Sequence, residues 1–429
     1  MTAGGQAPGE PTRHPVPYVV RARWGDRLLA ESRAAVRVEL PRAPGEPPAW
    51  PLLCLPLADV RLDLMVDEGR AGRSPVTGAE QWWNVPAAGP SGAGRDVLRA
   101  FVAPPPGLGW LAGLATFDDR RVAVEVVDGR DGDDDRDVTV KRFPTWGDAT
   151  DLLAVLDVRP AGGGRYVGAT RPSPGRPVVE GSQMLGQAIV AASRHAPSRR
   201  VVSAHMLFLR VADTTRPLEL VLEELSAGRT FTALAVDVRQ DGRRCARGEL
   251  LLSEVAPDVV RHAAPAPAVP GPYGSEPFDM SVTGRDLRVV GGAYSDDPDA
   301  PVGPPVIDAW VRFRDVPGDQ ALHAALCAQF TGHMPIAAAL RPYPGVGQAQ
   351  AHRTLSTAVN AIAIAFHAEV RADRWMLYHH RSTFAGDGMT RADCRVHGED
   401  GELLASFGVD AMVRRFAGHE GPVDASTAL

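Results

Sequence analysis

The chain has 429 residues, 44% of them hydrophobic and 23% charged, with a formal charge of −6 and a pI near 6.1. That length exceeds one ordinary core and predicts two or three domains, in the composition range of soluble globular proteins. The charge leaves no basic footprint for nucleic acid, and no segment nears about 18 uninterrupted apolar residues, so no membrane span is expected.

Residues 1–15 are rich in Pro, Gly and Thr and read as a disordered tail without the apolar stretch of a signal peptide. Residues 16–128 read as a compact, mostly β domain. Strands are predicted at Tyr18–Trp24, Ala34–Leu40, Pro51–Leu55, Gln81–Val85 and Arg121–Val127, separated by Gly/Pro turns. Residues 129–144 follow as an acidic linker. Its Asp128–Asp137 run has the closely spaced Asp and Gly of a cation loop. It lacks the closing glutamate and flanking helices of an EF-hand, so it reads as solvated linker.

From residue 145 one pattern occurs twice. Residues 145–258 hold a small-residue helix at Gly181–Ala192, then strands at Val201–Arg210 and through Leu218–Glu254. Residues 280–416 hold an alanine-rich helix, Gln320–Leu340, then strands at Thr357–His367, Trp375–Ser382, Met389–His397 and Leu403–Arg414. Between them, residues 259–279 form an Ala/Pro spacer, extended and semi-rigid. Residues 417–429 read as a second tail. One long apolar helix followed by long antiparallel strands suits a hotdog fold, and two in tandem make a double hotdog. The fold class expected is therefore α+β: a mostly-β domain followed by a double hotdog.

Lys141 is the one lysine. The four cysteines, Cys54, Cys245, Cys327 and Cys394, are far apart and have no metal-ligand spacing. They predict small buried thiols in a reduced, cytoplasmic protein. No metal and no cofactor are expected.

Residues 145–416 resemble the bacterial type II acyl-CoA thioesterases. The likeness rests on Gly181–Ala192 with Val201–Arg210, on Glu224–Phe231 near that family's Arg-x-Gly-x-Ser-Phe turn, on Ala365-Phe366-His367, and on Asp400–Ser406. It implies hydrolysis of an acyl-CoA by a water held between an Asp on the second helix, a Thr or Ser on the next strand and a Gln on the last strand. Such chemistry needs an oriented water and a donor for the developing oxyanion. Here the helix position falls in Gln329–Met334, which has no Asp, and Val409 stands where the Gln is implied, beside Asp410.

The altered set read from this chain is Gln329, His333, Thr357 and Asn360. Each has a structural reading beside the catalytic one. His333 suits a helix C-terminal cap, Thr357 a strand, Gln329 an ordinary helix position, and Asn360 a buried amide that needs partners. His205 and His367 read as satisfied strand histidines. The partner expected is an acyl-CoA substrate, with a homo-oligomer through sheet edges. The alternative is a non-catalytic acyl-thioester or lipid-binding protein with a degenerate site.

Residues 16–128 resemble a bacterial domain of unknown function, DUF427, which implies a β-tent. The likeness lies in Leu57–Leu64, Ser74–Trp83 and Ala103–Phe117. Ser74 and Thr77 stand where that family often has Cys and Lys. Trp24, Trp82, Trp83 and Trp110 read as either core or the lining of an aromatic pocket.

Overall fold

The structure is a computed structural model that describes residues 11–40, 51–87, 92–129, 135–145, 147–171, 178–297 and 299–416. Most of the two expected tails and the centre of the acidic run lie outside these residues. The chain divides into two compact units.

The N-terminal unit is built from two antiparallel sheets. The larger runs in the order Thr12–Pro15, Val36–Glu39, Leu52–Pro56, Leu114–Phe117, Gly94–Ala103, Gly78–Val85 and Val66–Ser74. The smaller runs Thr139–Arg142, Ala123–Asp128, Val19–Trp24 and Arg27–Ser32. Their apolar faces enclose a core that includes Val20, Leu29, Leu55, Trp83, Leu98 and Val124. Trp24 packs against that core, whereas Trp82 and Trp110 carry the guanidinium groups of Arg70 and Arg13 over their rings.

Two expectations are corrected here. Residues 12–15 are not a tail: they pair with Val36–Glu39 (Thr12↔Glu39, Pro15↔Val36) and supply an otherwise open edge with backbone hydrogen bonds. Residues 139–142 are not linker: they pair with Ala123–Asp128, which buries Lys141.

The C-terminal unit has the double-hotdog architecture. One continuous antiparallel sheet contains both halves. The first half runs Arg165–Gly168, Leu218–Ala227, Phe231–Gln240, Arg243–Ser253, Arg200–Phe208. The second continues Leu355–Phe366, Leu403–Arg415, Met389–Gly398, Met376–Gly386, Val306–Phe313. Each half therefore places its strands in the same order about its own helix. The halves join where Arg200–Phe208 pairs with Leu355–Phe366, in the register Ser203↔Ala365 and Leu207↔Ala361. Asp241-Gly242 and Asp387-Gly388 close two-residue hairpins with both residues at positive φ, as a type I′ turn requires.

The first central helix, Gly181–His195, is buried at every position from Ser182 to Ala192. That is the signature of a helix wrapped by sheet on all sides. The second starts at Gln320, where Asp319 accepts from the Ala321 amide at 2.9 Å. It does not run unbroken to Leu340 as expected. It ends at Phe330 and restarts as Pro335–Leu340. Proline has no amide hydrogen to extend a helix across it but is at home in a first turn. A further short helix, Ala149–Leu156, was not anticipated, although Asp148 and Asp151 form a reciprocal capping box at its start.

The Ala/Pro spacer is mostly exposed and fastened to the second half, and its end is not spacer: Pro272–Gly274 form a 3-10 turn and Glu276–Pro277 pair with Arg288 and Val289 at the sheet edge. Trp310 donates to the Pro270 carbonyl at 2.9 Å, and His397 lies 3.4 Å from the Ala264 carbonyl. Among the described residues no helix is long and apolar enough to cross a membrane.

Candidate functional site

The N-terminus of the first central helix meets the C-terminal end of the second. Glu180 is the residue before the first helix, and its side chain makes no capping bond to that helix. It crosses to the second helix instead. Gln329 Nε2 donates to Glu180 Oε2 at 3.1 Å, and His333 Nε2 lies 3.8 Å from the same oxygen. Gly332 sits against Ser182: a Cβ there would lie 2.9 Å from Ser182 Oγ, so a bare backbone lets the two helix ends approach.

The polar atoms of this cluster are only half satisfied. Gln329 is 4% exposed, and its Oε1 has no hydrogen-bond partner. His333 Nδ1 and Gln183 Nε2 are likewise buried without one. Leaving such groups unmet costs about 1–3 kcal/mol each, so their accumulation makes this junction a candidate site. Burial holds the His333 pKa below the ordinary histidine value, with Glu180 opposing the shift. Its ring stacks on Phe330 at 4.9 Å. The other face of the cluster carries Arg285, which is buried with its guanidinium 5.4 Å from the Phe330 ring centre. Burial lowers its pKa to about 10, again against the field of Glu180.

Two of the four predicted residues, Gln329 and His333, are thus brought together, through Glu180. Thr357 and Asn360 lie on the strand after the second helix, and no hydrogen bond among the described residues ties them to this pair. Thr357 Oγ1 is 3.3 Å from His352 Nδ1. Asn360 sits in a β-bulge between Val359 and Ala361, with its Oδ1 buried and unpartnered. Val409 is buried opposite Ile362, while Asp410 takes the other face of the strand and pairs with Arg391 at 3.0 Å. His367 bonds Ser406 at 2.8 Å, and His205 is exposed on the sheet face away from the helices. A cavity of about 660 Å³ opens on that face, bordered by His205, Ala363 and Arg391, and none of the four predicted residues lines it.

Sequence reasoning missed Glu180 and Arg285. Glu180 had one local signal, its place just before the small-residue helix. Arg285 had none.

The model for the acyl-CoA thioesterase N-terminal domain matches residues 170–252, and that for the acyl-CoA thioesterase C-terminal domain matches residues 257–407. Residues 12–128 match the domain of unknown function DUF427. Acyl-coenzyme A thioesterase 8 of Mus musculus is 25% identical over 288 residues, which span 61% of this chain and 88% of the mouse protein. Acyl-CoA thioesterase 2 of Haemophilus influenzae is 24% identical over 254 residues, 55% of this chain and 87% of its own. The solved structure of an acyl-CoA thioesterase II from Mycobacterium marinum is 25% identical and superposes with a TM-score of 0.53, covering 63% of this chain and all of that one. Residues 170–407 thus carry the N- and C-terminal domains of an acyl-CoA thioesterase, behind a DUF427 domain at residues 12–128.

Proposed function

We propose that this protein hydrolyses an acyl-CoA thioester at the junction of the two central helices. The observation that carries the reading is the Gln329 amide, whose nitrogen is anchored on Glu180 while its buried oxygen has no partner. A water bound there would satisfy that oxygen and be oriented by it. The first amides of a helix have no intrahelical acceptor and carry the positive end of its dipole. The Gly181 and Ser182 amides are therefore suited to polarise a thioester carbonyl and to hold the oxyanion that forms when water adds. Collapse of that adduct expels the CoA thiolate and leaves a carboxylic acid. His333, kept neutral at pH 7 by its burial, adds a polar edge without a competing positive charge.

Asn360 and Thr357 stay in the proposed set as the strand's hydrogen-bonding groups, Asn360 because its acceptor is also unmet. Free, buried cysteines support a reducing, cytoplasmic setting. Exposed Leu207, Leu225, Phe231 and Leu251 on the first half's sheet support a homo-oligomer. The division into a β domain over 16–128 and hotdog halves over 145–258 and 280–416 belongs to the same reading.

One observation favours a second reading. Val409 puts a hydrocarbon at the last-strand position where the family resemblance implies a Gln, as an acyl-thioester-binding protein without turnover would allow. Thiol release from acyl-CoAs of short to long chain, straight and branched, separates the two. The hydrolase reading expects release that falls about 100-fold or more in Gln329→Ala, the size of effect seen when one such polar group is removed, with a smaller loss in Asn360→Ala. Binding of acyl-CoA by calorimetry with no release from any member of the panel favours the second reading.

A further inference from the structure

Hydrolysis needs a group that takes a proton from the attacking water, and the second central helix offers no carboxylate at its Gln329–Met334 end. We propose that Glu180 is that group: a general base contributed by the first half of the chain to a site whose other residues come from the second. The inference rests on the hydrolase reading above and assigns a catalytic residue to it.

Three features of Glu180 carry the assignment. It occupies an N-cap position, yet its carboxylate makes no bond to its own helix, and Glu is not among the residues favoured there for capping. Its oxygen is instead directed at Gln329 Nε2, 3.1 Å away, and His333 Nε2, 3.8 Å away. Its side chain is 56% exposed, whereas that of His333 is 9% exposed. Among these groups the carboxylate is the one that solvent and substrate reach. The Gln329 amide is then a clamp with two ends. Its N–H fixes the carboxylate, and its oxygen is buried and unmet. A water that donates one hydrogen to Gln329 Oε1 and the other to Glu180 is held next to the Gly181 and Ser182 amides.

The step balances without any further reactant. The water oxygen attacks the thioester carbon as its proton passes to a Glu180 oxygen, and the carbonyl electrons move to the oxygen beside the helix amides. The C–S bond then breaks, the CoA sulfur leaves with the pair, and the proton on Glu180 returns to it or to solvent. The ionisable groups that face Glu180 are His333 from the second helix end, Arg285 from the strand Arg285–Val289, and Tyr294 from the loop after it. All three are buried, so Glu180 is the ionisable group of the cluster that is open to solvent.

The test uses the full chain with Glu180→Gln, Glu180→Asp and Glu180→Ala. The expected result is a fall in kcat of about 100-fold or more in Glu180→Gln, with little change in KM. Glu180→Asp is expected to retain part of the rate, and added formate to restore part of it to Glu180→Ala. Wild-type turnover with Glu180→Gln within about threefold of it overturns the base assignment and leaves the hydrolase reading standing. Absence of turnover in the wild type overturns both. If the Gln variant does not fold, Glu180→Ala decides: loss without formate rescue overturns the assignment.

Discussion

Between pH 6.5 and 4 the double-hotdog unit is expected to lose about 3 kcal/mol of unfolding free energy through His380 alone. His380 has no exposed surface. Its ring stacks on Tyr378 at 5.9 Å, with Phe407 edge-on at 5.8 Å and Phe330 at 6.4 Å. Nδ1 lies 3.2 Å from the Ile307 carbonyl, so the proton of the neutral ring belongs on Nδ1, and Nε2 is left buried without a partner. A second proton would place a charge in this hydrocarbon cage, and burial pushes the pKa down to about 4. The sign follows from which state binds the proton first. The unfolded histidine protonates near pH 6.5 and the folded one near 4, so the unfolded state takes up more protons across that window. The stability is complete above about pH 6.5, falls as acid is added, and levels off once both states are charged. His333 and His323 are shifted the same way by burial and add to the slope. Urea unfolding at pH 7, 6, 5 and 4.5 measures it. His380→Phe, which keeps a flat ring and removes the titration, should flatten the curve by roughly half or more. A wild-type stability constant over this range contradicts the burial argument.

The same residues show why the fold was more legible than the site. Order and spacing carried the architecture. A helix of small and apolar residues without a charged face, Gly181–Ala192, followed by long apolar strands has few ways to hide except inside a sheet. Strand character was readable from local alternation, as in Leu218, Leu220 and Leu222, all buried, but the run Leu218–Glu254 was not divided into its three strands. The break in the second helix had local causes too, Gly332 and Pro335, and alanine-rich sequence on both sides masked them. The site was different in kind. Glu180 and Gln329 are 149 residues apart in sequence, and nothing near either one specifies the other. Asn360 is an ordinary strand residue until a bulge isolates it from its neighbours. The carboxylate that meets Gln329, Glu180, stands just before the first helix, so a reading confined to the second helix does not reach it.

Gly186→Val is expected to destabilise the protein by about 3 kcal/mol or more, by forcing the two central helices apart. A Cβ built at Gly186 lies 3.0 Å from the Ala325 carbonyl oxygen and 2.8 Å from Leu156 Cδ2. The Leu156 methyl can turn aside, but a helix carbonyl moves only with its helix. Alanine at 186 gains about 1 kcal/mol in helix propensity, which offsets part of the crowding, so Gly186→Ala should fold with a modest loss. That variant is informative about the site. Gly186 lies under two turns along the helix from Glu180, and the spacing at this crossing sets how far Glu180 is from Gln329. A displacement near 1 Å at a reacting centre can cost about 100-fold in rate. Gly186→Ala should therefore lose more in kcat than its small loss of stability suggests, while acyl-CoA affinity changes little. Urea unfolding and thiol-release kinetics on the two variants check both halves of this expectation. A Val variant with wild-type stability would mean that the helices are not held at this glycine. An Ala variant with full kcat would mean that the reach between Glu180 and Gln329 does not govern turnover.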